Sequence, residues 1–422
     1  MEIINLNLAL AALVSIGFVG AVIARRIGVP MITGYLAIGM LLSPSVFPLL
    51  PKELLTDATA IITPLALGVI AYLIGGSLHL PSLARFGRDI TFVTLFEGMG
   101  AWVGVTVLIF LLGPWLITSG VGDGGLMVFF TIGITGGAIS LATAPAGTLA
   151  VIREYRSRGP LTTILLSVVA LDDALAIMAT AVALAVISFL LGDGASWVQL
   201  LLGATGEIGF SLLLGGGIAL GLISLSQHTR RRSELLVVVL GAILLCLGVA
   251  EMLHLSYLLA TMALGFVVVN RLEDSQQLFS VVYDLEELLY ALFFTLVGTK
   301  LDLSLFASGG VLALLIVAGR MAGKFSGATL GATLSGAPPA VRKYLGLGLL
   351  AKAGVTVGLA LLVEQDPRMA GVAAIFVNGV LASTIVNQLI APPLVKVAIV
   401  RSGEVGRADA APAAEEHAER RI

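Results

Sequence analysis

Two adjacent aspartates, Asp172 and Asp173, lie in the middle of an apolar stretch that extends from residue 161 to residue 187. Placing one carboxylate at the centre of a bilayer costs at least ~2.5 kcal/mol, so an acid inside a membrane span usually has a function. Two neighbouring carboxylates also resist being ionised at the same time. A site that holds one proton or one cation, and seldom neither, is what a proton-coupled ion carrier requires.

The composition predicts an all-α polytopic membrane protein. The chain has 422 residues, of which 58% are hydrophobic and only 12% charged, and its mean hydropathy is +1.05. Soluble domains have about 25% charged residues. The single cysteine, Cys246, excludes an intrachain disulfide, and the four histidines are too scattered to predict a metal centre. The N-terminus lacks a basic region, so the first apolar stretch is expected to remain as a membrane helix.

Apolar stretches separated by charges, glycine and proline predict about thirteen membrane spans, each near the ~20 residues that a helix needs to cross. The predicted spans are 4–24, 30–48, 58–78, 90–112, 125–149, 160–190, 197–226, 233–250, 254–270, 279–298, 308–334, 344–363 and 369–399.

Loop charges predict the orientation of these spans. Loops on one side, together with Lys396 and Arg401 at the end of the last span, carry 15 lysines and arginines, whereas loops on the other side carry 3. The tail residues Arg407, Arg420 and Arg421 are not included in this count. The positive-inside rule then places the N-terminus outside and the C-terminus in the cytoplasm. We predict a membrane domain over residues 1–400 and a disordered cytoplasmic tail over 401–422, because the residues of this tail are mostly small or charged.

Charged residues inside the predicted spans form a small set. It consists of three cations and four acids: Arg320, Lys324, Lys352, Glu97, Asp172, Asp173 and Glu207. Buried ions of opposite sign usually pair with each other. We therefore predict that Lys324 pairs with Asp172 or Asp173, and that Arg320 pairs with Glu97 or Glu207. Arg320 and Lys324 are four residues apart and share one helix face.

Two predicted spans have the composition of interrupted helices. The fifth contains Pro145 among several glycines, and the twelfth is glycine-rich with a predicted break near Gly354. The two spans run in opposite directions, and paired broken helices in inverted repeats are the best sequence pointer to a transporter's ion site. The residues predicted to serve this site from the breaks are Ser140, Thr143, Ala144, Pro145, Lys352, Gly354 and Thr356.

Simpler interpretations of the same residues remain open at this stage. Pro145 could mark a mere kink, since glycine and proline are common in membrane helices. Ser140 and Thr143 could bond only to the preceding helical turn. Asp172 and Asp173 could form a purely structural buried network.

Several motifs together resemble the cation–proton antiporter superfamily, specifically its second branch and the NapA type of bacterial sodium/proton antiporter. They are Val-Val-Ala-Leu-Asp172-Asp173-Ala, Ala-Thr143-Ala-Pro145-Ala and Gly319-Arg-Met-Ala-Gly-Lys324, with blocks at 25–39 and 293–303. The resemblance covers about residues 5–398. In the twelfth span Ala351-Lys352-Ala-Gly354 replaces the family's more usual arginine–glycine pattern.

The resemblance implies an NhaA-like fold with thirteen helices, inverted repeats and two broken, crossing helices. It implies a six-helix core, about 90–190 and 308–399, and a dimerisation panel formed by the remaining helices of a homodimer. It also implies that Asp173 is the principal ion and proton carrier, and that Asp172 makes and breaks a salt bridge with Lys324. Arg320, Lys352, Glu97 and Ser140 are expected to support this site.

The resulting expectation is electrogenic Na⁺ or Li⁺ exchange for H⁺ by alternating access in a bacterial or archaeal inner membrane. Only the ions, the lipid bilayer and a second copy of the chain are expected partners, with no cofactor, enzymatic reaction or nucleic acid. Three alternatives remain: a K⁺/H⁺ antiporter, a sodium-coupled organic-solute symporter, and a membrane-embedded sensor or assembly subunit. Carboxylates accept sodium, lithium and potassium alike, so the residue types do not choose among these ions.

Overall fold

The computed structural model describes residues 6–47, 51–117, 125–191, 197–228, 231–299, 303–352 and 373–407, with scattered residues between 355 and 372. All regular structure in this part of the chain is helical. The described helices are α1 (Leu6–Arg26), α2 (Met31–Leu41), α3 (Lys52–Ser77), α4 (Leu80–Leu116), α5 (Gly125–Ile139), α6 (Pro145–Glu154), α7 (Pro160–Leu191), α8 (Trp197–Ser226), α9 (Arg232–Met252), α10 (Tyr257–Arg271), α11 (Gln276–Thr299), α12 (Leu303–Ser335), α13 (Pro339–Gly348) and α14 (Ala373–Ser402).

These helices confirm the prediction of an all-α membrane protein. Among the described residues, 7 helices are long and apolar enough to cross a membrane, and four shorter apolar helices accompany them. Large apolar side chains such as Trp115, Phe189 and Leu213 are exposed on the outer surface, where a lipid bilayer would cover them. Two pairs of short helical segments take the place of single spans: α5 with α6, and α13 with the described helical residues 355, 356, 359, 360 and 363.

The helices pack in two groups. In one group α4 lies against α12, and the interrupted spans lie between flanking helices: α5 contacts α4 and α7, and α13 contacts α12 and α14. The second segment of the first interrupted span, α6, packs on α14. The first segment of the second interrupted span, α13, packs on α7. In the other group α1, α2, α3, α8, α9, α10 and α11 contact one another. The first group contains the helices of the region predicted to be the core. That the two groups act as a transport core and a dimerisation panel stays a prediction.

Several helix ends meet on one face of the molecule. The Lys396 ammonium donates to the Gly28 carbonyl oxygen and lies 5.4 Å from the centre of the Tyr155 ring. The Arg153 guanidinium lies 4.2 Å from the centre of the Tyr283 ring. The ends of α1 and α6, the start of α11 and the last part of α14 therefore lie close together.

The C-terminal segment is ordered further than predicted. Helix α14 continues to Ser402, and Glu404 is buried against the start of α7. The predicted boundary of a disordered tail at residue 401 is therefore wrong, because residues 401–407 are helical or packed. Residues 408–422 lie outside the described part of the chain.

A candidate ion-binding site where two interrupted helices cross

The first interruption occupies residues 140–144, between α5 and α6. Pro145 is the first residue of α6, where its missing N–H and fixed φ are tolerated, but it cannot continue a helix from the preceding turn. The predicted break in the fifth span is thereby confirmed. The predicted residues Ser140, Thr143, Ala144 and Pro145 all lie in or beside it and are buried. Ser140 itself donates its hydroxyl back to the Gly136 carbonyl oxygen at 2.6 Å.

The second interruption begins earlier than predicted. Helix α13 ends at Gly348, and residues 350–352 are not helical. The predicted break near Gly354 is therefore displaced, because the helix has already ended before that residue. Gly354 itself lies outside the described residues. Thr356 is buried in a helical segment, and its hydroxyl has no hydrogen-bond partner among the described residues.

The two interruptions cross in contact with each other. The Ala144 backbone N–H donates to the Ala351 carbonyl oxygen at 3.0 Å, which joins the two non-helical segments directly. Interrupting a helix leaves carbonyl groups without their usual intrahelical partners, and buried carbonyls need a donor. Most of those donors come from one side chain on α12.

That side chain is Arg320, which is fully buried. Its guanidinium donates to five carbonyl oxygens of the two breaks: Ser140 at 2.9 Å, Ala142 at 2.9 Å, Leu349 at 3.2 Å, Leu350 at 2.6 Å and Ala351 at 3.0 Å. The planar guanidinium has five N–H donors, so one residue can satisfy both breaks. The predicted ion pair of Arg320 with Glu97 or Glu207 is wrong, since its described bonds all go to backbone. Glu207 lies half-buried on α8, outside this cluster.

A stripe of glycines brings α4 and α12 into backbone contact. Glycines recur every fourth residue on α12, at Gly319, Gly323, Gly327 and Gly331. The first two face Gly104 and Gly100 of α4, and the last two face the backbone of Phe96 and Phe92. A Cβ atom on any of the four α12 glycines would collide with backbone atoms of α4. Small residues at this spacing allow membrane helices to approach closely. The side chains of α4 and α12 next to the stripe are consequently forced together.

Lys324 and two carboxylates meet beside this stripe. The Lys324 ammonium donates to Glu97 Oε2 at 2.6 Å, to Asp172 Oδ2 at 3.1 Å and to the Thr143 hydroxyl oxygen at 2.8 Å. The Thr143 hydroxyl in turn donates to Asp172 Oδ2. The predicted pairing of Lys324 with Asp172 is confirmed as a contact. The closer partner, Glu97, had been predicted to pair with Arg320.

Asp173 does not belong to this hydrogen-bonded cluster. It is 2% exposed, and its Oδ2 atom has no hydrogen-bond partner among the described residues. The carboxyl group lines a cavity of about 20 Å³, together with Ala144 and Pro145 of the first break and Leu67 of α3. A cavity of this size has room for one water-sized occupant. Asp173 thus combines an unpartnered carboxylate oxygen with a place beside open space.

Other oxygens at the crossing also lack partners. Glu97 Oε1 and Asp172 Oδ1 are buried and accept no hydrogen bond from the described residues. Burying carboxylate oxygens without a partner costs free energy, and such oxygens can bind either a hard cation or a proton. Within the described residues, no group of three or more His, Cys, Asp or Glu side chains has the arrangement of a metal site.

Lys352 lies next to the second break and is fully buried. Its ammonium donates to the Ser383 hydroxyl of α14 at 3.1 Å. No carboxylate of the described residues lies within ion-pair distance of it, in contrast to Lys324. The predicted support residues therefore divide into Glu97, which joins the ion-pair cluster, and Lys352, which faces α14.

The crossing of two interrupted helices, with buried carboxylates and cations at its centre, defines a class of membrane transport protein. The family described as sodium/hydrogen exchanger, transmembrane, matches residues 10–397, and the chain belongs to this family. A curated relative is the high-affinity Na⁺/H⁺ antiporter NhaS3 of Synechocystis sp., which is 25% identical over 316 residues. That alignment covers 71% of this chain, and the chain spans 63% of the length of NhaS3.

Solved structures share the fold. A structure of the sodium proton antiporter MjNhaP1 from Methanocaldococcus jannaschii at pH 8 is similar to this chain with a TM-score of 0.71. The sequence identity is 19%, and the match covers 95% of this chain and 99% of that chain. A second structure of the same antiporter gives a TM-score of 0.72 at 20% identity, with 96% of each chain covered. The predicted antiporter fold is thereby confirmed.

Proposed function

We propose that this protein exchanges Na⁺ or Li⁺ for H⁺ across a membrane, with Asp173 as the group that carries the ion or the proton. The observation behind this proposal is the Asp173 carboxylate, which is buried beside a small cavity with an unpartnered oxygen. A carboxylate in that position is neutralised by whichever cation reaches it first. Family membership and the sodium/proton antiport for which NhaS3 and MjNhaP1 are named support sodium and protons as the competing ions.

The second aspartate has a different role in this proposal. Asp172 is paired with the Lys324 ammonium and accepts a hydrogen bond from the Thr143 hydroxyl. A cation bound between the two aspartates attracts Asp172 away from Lys324, because both compete for the same carboxylate. Glu97 lies 2.6 Å from the same ammonium, so Asp172 is one of two carboxylates that share it. The salt bridge to Asp172 is thus the contact that ion binding remakes.

Alternating access follows from the charge state of this cluster. An empty site with a charged, unpaired Asp173 is costly to move through a low-dielectric region, whereas a site holding Na⁺ or H⁺ is not. Ion or proton binding therefore permits the core helices to move relative to the other group, which opens the site to each side in turn. The Arg320 contacts keep the two breaks together during that movement.

The exchange is proposed to be electrogenic, with two protons for each cation. Asp173 supplies one proton site, and the Asp172–Lys324 pair supplies the second when the cation separates it. Net charge movement couples the exchange to the membrane potential at ~2.3 kcal/mol per charge per 100 mV. Reconstitution in proteoliposomes with the potential clamped tests this stoichiometry, and an exchange rate that is independent of the clamped potential would contradict it.

The orientation and assembly are part of the same proposal. The predominance of cations in the loops of one side supports an N-terminus outside and a C-terminus in the cytoplasm of a bacterial or archaeal cell. The helix group that contains α1 and α2 is proposed to form the homodimer interface. Cross-linking of single cysteines introduced on α1, in a Cys246→Ser background, tests the dimer.

The proposed function is tested by dequenching of a pH-sensitive dye in everted vesicles, with Na⁺, Li⁺ and K⁺ added in turn. We expect Na⁺ or Li⁺ to dissipate the pH gradient with wild type and to fail with Asp173→Asn. The matched control is Glu207→Gln, which neutralises another membrane acid outside the cluster and is expected to transport normally. A response to K⁺ alone identifies a K⁺/H⁺ antiporter. A correctly inserted wild type that responds to no cation rejects antiport and directs the test to sodium-coupled solute uptake.

A further inference from the structure

Helix α7, which carries both aspartates, begins without a capping side chain of its own. Pro160 is its first residue, and the preceding residue is Gly159, which has no side chain to accept a hydrogen bond. The first N–H groups of a helix have no intrahelical partner, and helices usually satisfy them with a Ser, Thr, Asp or Asn cap. In this protein the N–H groups of Leu161 and Thr162 are buried and need another acceptor.

The acceptor is Glu404, more than two hundred residues later in the chain. Glu404 Oε1 accepts from the Leu161 N–H at 2.8 Å, and Oε2 accepts from the Thr162 N–H at 2.9 Å and from the Thr162 hydroxyl at 2.7 Å. The side chain is 2% exposed. A carboxylate at a helix N-terminus also interacts favourably with the helix dipole.

The backbone around Glu404 is fixed to the same region. Gly403 ends α14 with a φ of 73°, which turns the chain back toward α7. The Glu404 carbonyl oxygen accepts from the Arg158 N–H at 3.2 Å, and the Gly406 N–H donates to the Tyr155 carbonyl oxygen at 3.1 Å. A Cβ atom on Gly159 would collide with the Glu404 carboxyl group, so the glycine leaves the space that the acid occupies. We refer to residues 403–407 as the tail clip.

We propose that Glu404 is a positioning residue for ion exchange, because the tail clip fixes α7 to α14 and so sets the position of Asp172 and Asp173. The proposal rests on the function proposed above. Asp172 lies about 18 Å along α7 from Pro160, at a rise of about 1.5 Å per residue. A rigid helix transmits a shift of its first turn to that point. Helix α14 also carries Ser383, the partner of Lys352, so the clip joins two helices that contribute to the crossing.

The first test is Glu404→Gln, which keeps the size of the side chain but replaces one acceptor oxygen by an amide that donates. One of the two α7 N–H groups then faces a donor. We expect the sodium concentration for half-maximal exchange to rise at least threefold, while the maximal rate per inserted protein stays within twofold of wild type. The control is Glu273→Gln, an exposed acid expected on the same side of the membrane, which should leave both quantities unchanged.

A second variant reaches the same contact from the other side. Gly159→Ala leaves Glu404 intact but places a methyl group where the carboxyl group lies. It should therefore raise the sodium concentration for half-maximal exchange by a similar factor. Combining Gly159→Ala with Glu404→Gln should add little to either single change, because both break one contact. A chain ending at Arg407 should behave as wild type, whereas a chain ending at Ser402 should reproduce Glu404→Gln.

Hydrogen exchange at α7 separates the positioning role from mere loss of a cap. The amides of Leu161 and Thr162 should exchange at least tenfold faster in Glu404→Gln, whether or not the protein transports sodium. Faster amide exchange with unchanged half-saturation would show that the cap is structural only and would overturn the proposal. Unchanged amide exchange would overturn it as well. A wild type that transports no cation rejects the proposed function, and the amide result then still reports on the clip.

Discussion

Arg320 and Lys324 lie one turn apart on α12, and both are fully buried cations. Their surroundings are nevertheless opposite in kind. Every described hydrogen bond of Arg320 goes to a backbone carbonyl of the two breaks. Every described hydrogen bond of Lys324 goes to a side chain, two of them carboxylates.

This difference assigns Arg320 to the structure of the site and Lys324 to ion exchange. A backbone carbonyl neither takes up a proton nor moves independently of its segment, so the position of Arg320 is fixed as long as the crossing exists. A carboxylate can be neutralised by a proton or a metal cation and can change rotamer. Charge at Lys324 can therefore be rebalanced during a transport cycle, whereas charge at Arg320 holds the fold of the site.

Removing the guanidinium should have the largest effect. Arg320→Met leaves five buried carbonyl groups without this donor, and each such loss costs about 1–3 kcal/mol when the group stays buried. We expect a loss of more than about 3 kcal/mol in the free energy of unfolding, seen as a large drop in thermal stability in detergent. Arg320→Lys, which keeps the charge but not the planar fork, should recover only part of it. Full recovery by lysine would contradict the assignment of Arg320 to carbonyl capping.

Changes to one partner of Lys324 should be milder, because the other partner remains. Glu97→Gln replaces a carboxylate acceptor by an amide oxygen, which weakens a charge-assisted hydrogen bond worth about 1.5–3 kcal/mol. We expect the protein to fold and the Lys324 ammonium to stay paired with Asp172. Because Asp172 then becomes the only carboxylate on the ammonium, sodium should compete less well, and half-saturation should rise about tenfold in vesicle assays. Equal sodium affinity in Glu97→Gln and wild type would show that Glu97 does not share the ammonium.

The glycine stripe should show a smaller effect on stability with a consequence for the cluster. Gly323→Ala places a methyl group against the Gly100 carbonyl of α4, and overpacking of this kind costs about 1–3 kcal/mol. Separation of α4 from α12 also lengthens the Glu97–Lys324 contact. The control is Gly217→Ala on α8, where the added carbon lies within 4 Å of no atom beyond the adjacent residues and the backbone of its own helix, and alanine favours the helix. Thermal denaturation of both variants should rank Gly323→Ala as the less stable.

The smallest effect is expected at Lys352. Its ammonium has one described hydrogen bond, to Ser383, and no described carboxylate partner. Replacing a poorly compensated buried charge by an apolar side chain of similar length is often neutral or stabilising. Lys352→Met should therefore change the free energy of unfolding by less than about 1 kcal/mol. A loss as large as that of Arg320→Met would place Lys352 among the residues that hold the crossing.

Parts of this site could be predicted from sequence because their causes are local. Pro145 cannot continue the turn before it, so the first break falls where the proline predicts. The second break has no proline, and glycines at several positions allow the helix to end at more than one of them. The observed end at Gly348 depends on the Arg320 contacts with residues 349–351, which are tertiary and not visible in the local sequence.

The pairing of buried charges was predicted less well for a related reason. Counting acids against cations assumes that a buried charge seeks an opposite charge, and this assumption succeeds for Lys324. It fails for Arg320, because interrupted helices supply carbonyl acceptors that the assumption ignores. The cap by Glu404 was also missed, since a short segment of small and charged residues usually indicates disorder. The signal was present at α7, where Gly159-Pro160 starts a helix without a side-chain cap.

The distances along the chain within the ion-pair cluster have a consequence for biosynthesis. Glu97 and Asp172 precede Lys324 by 227 and 152 residues, so both acids are synthesised and enter the bilayer long before their ammonium partner exists. A carboxyl group without a partner enters hydrocarbon far more readily in its neutral form than as an anion. During that interval neither acid has the ammonium that it contacts in the finished site. The ion-pair cluster is therefore completed late in assembly, when α12 arrives.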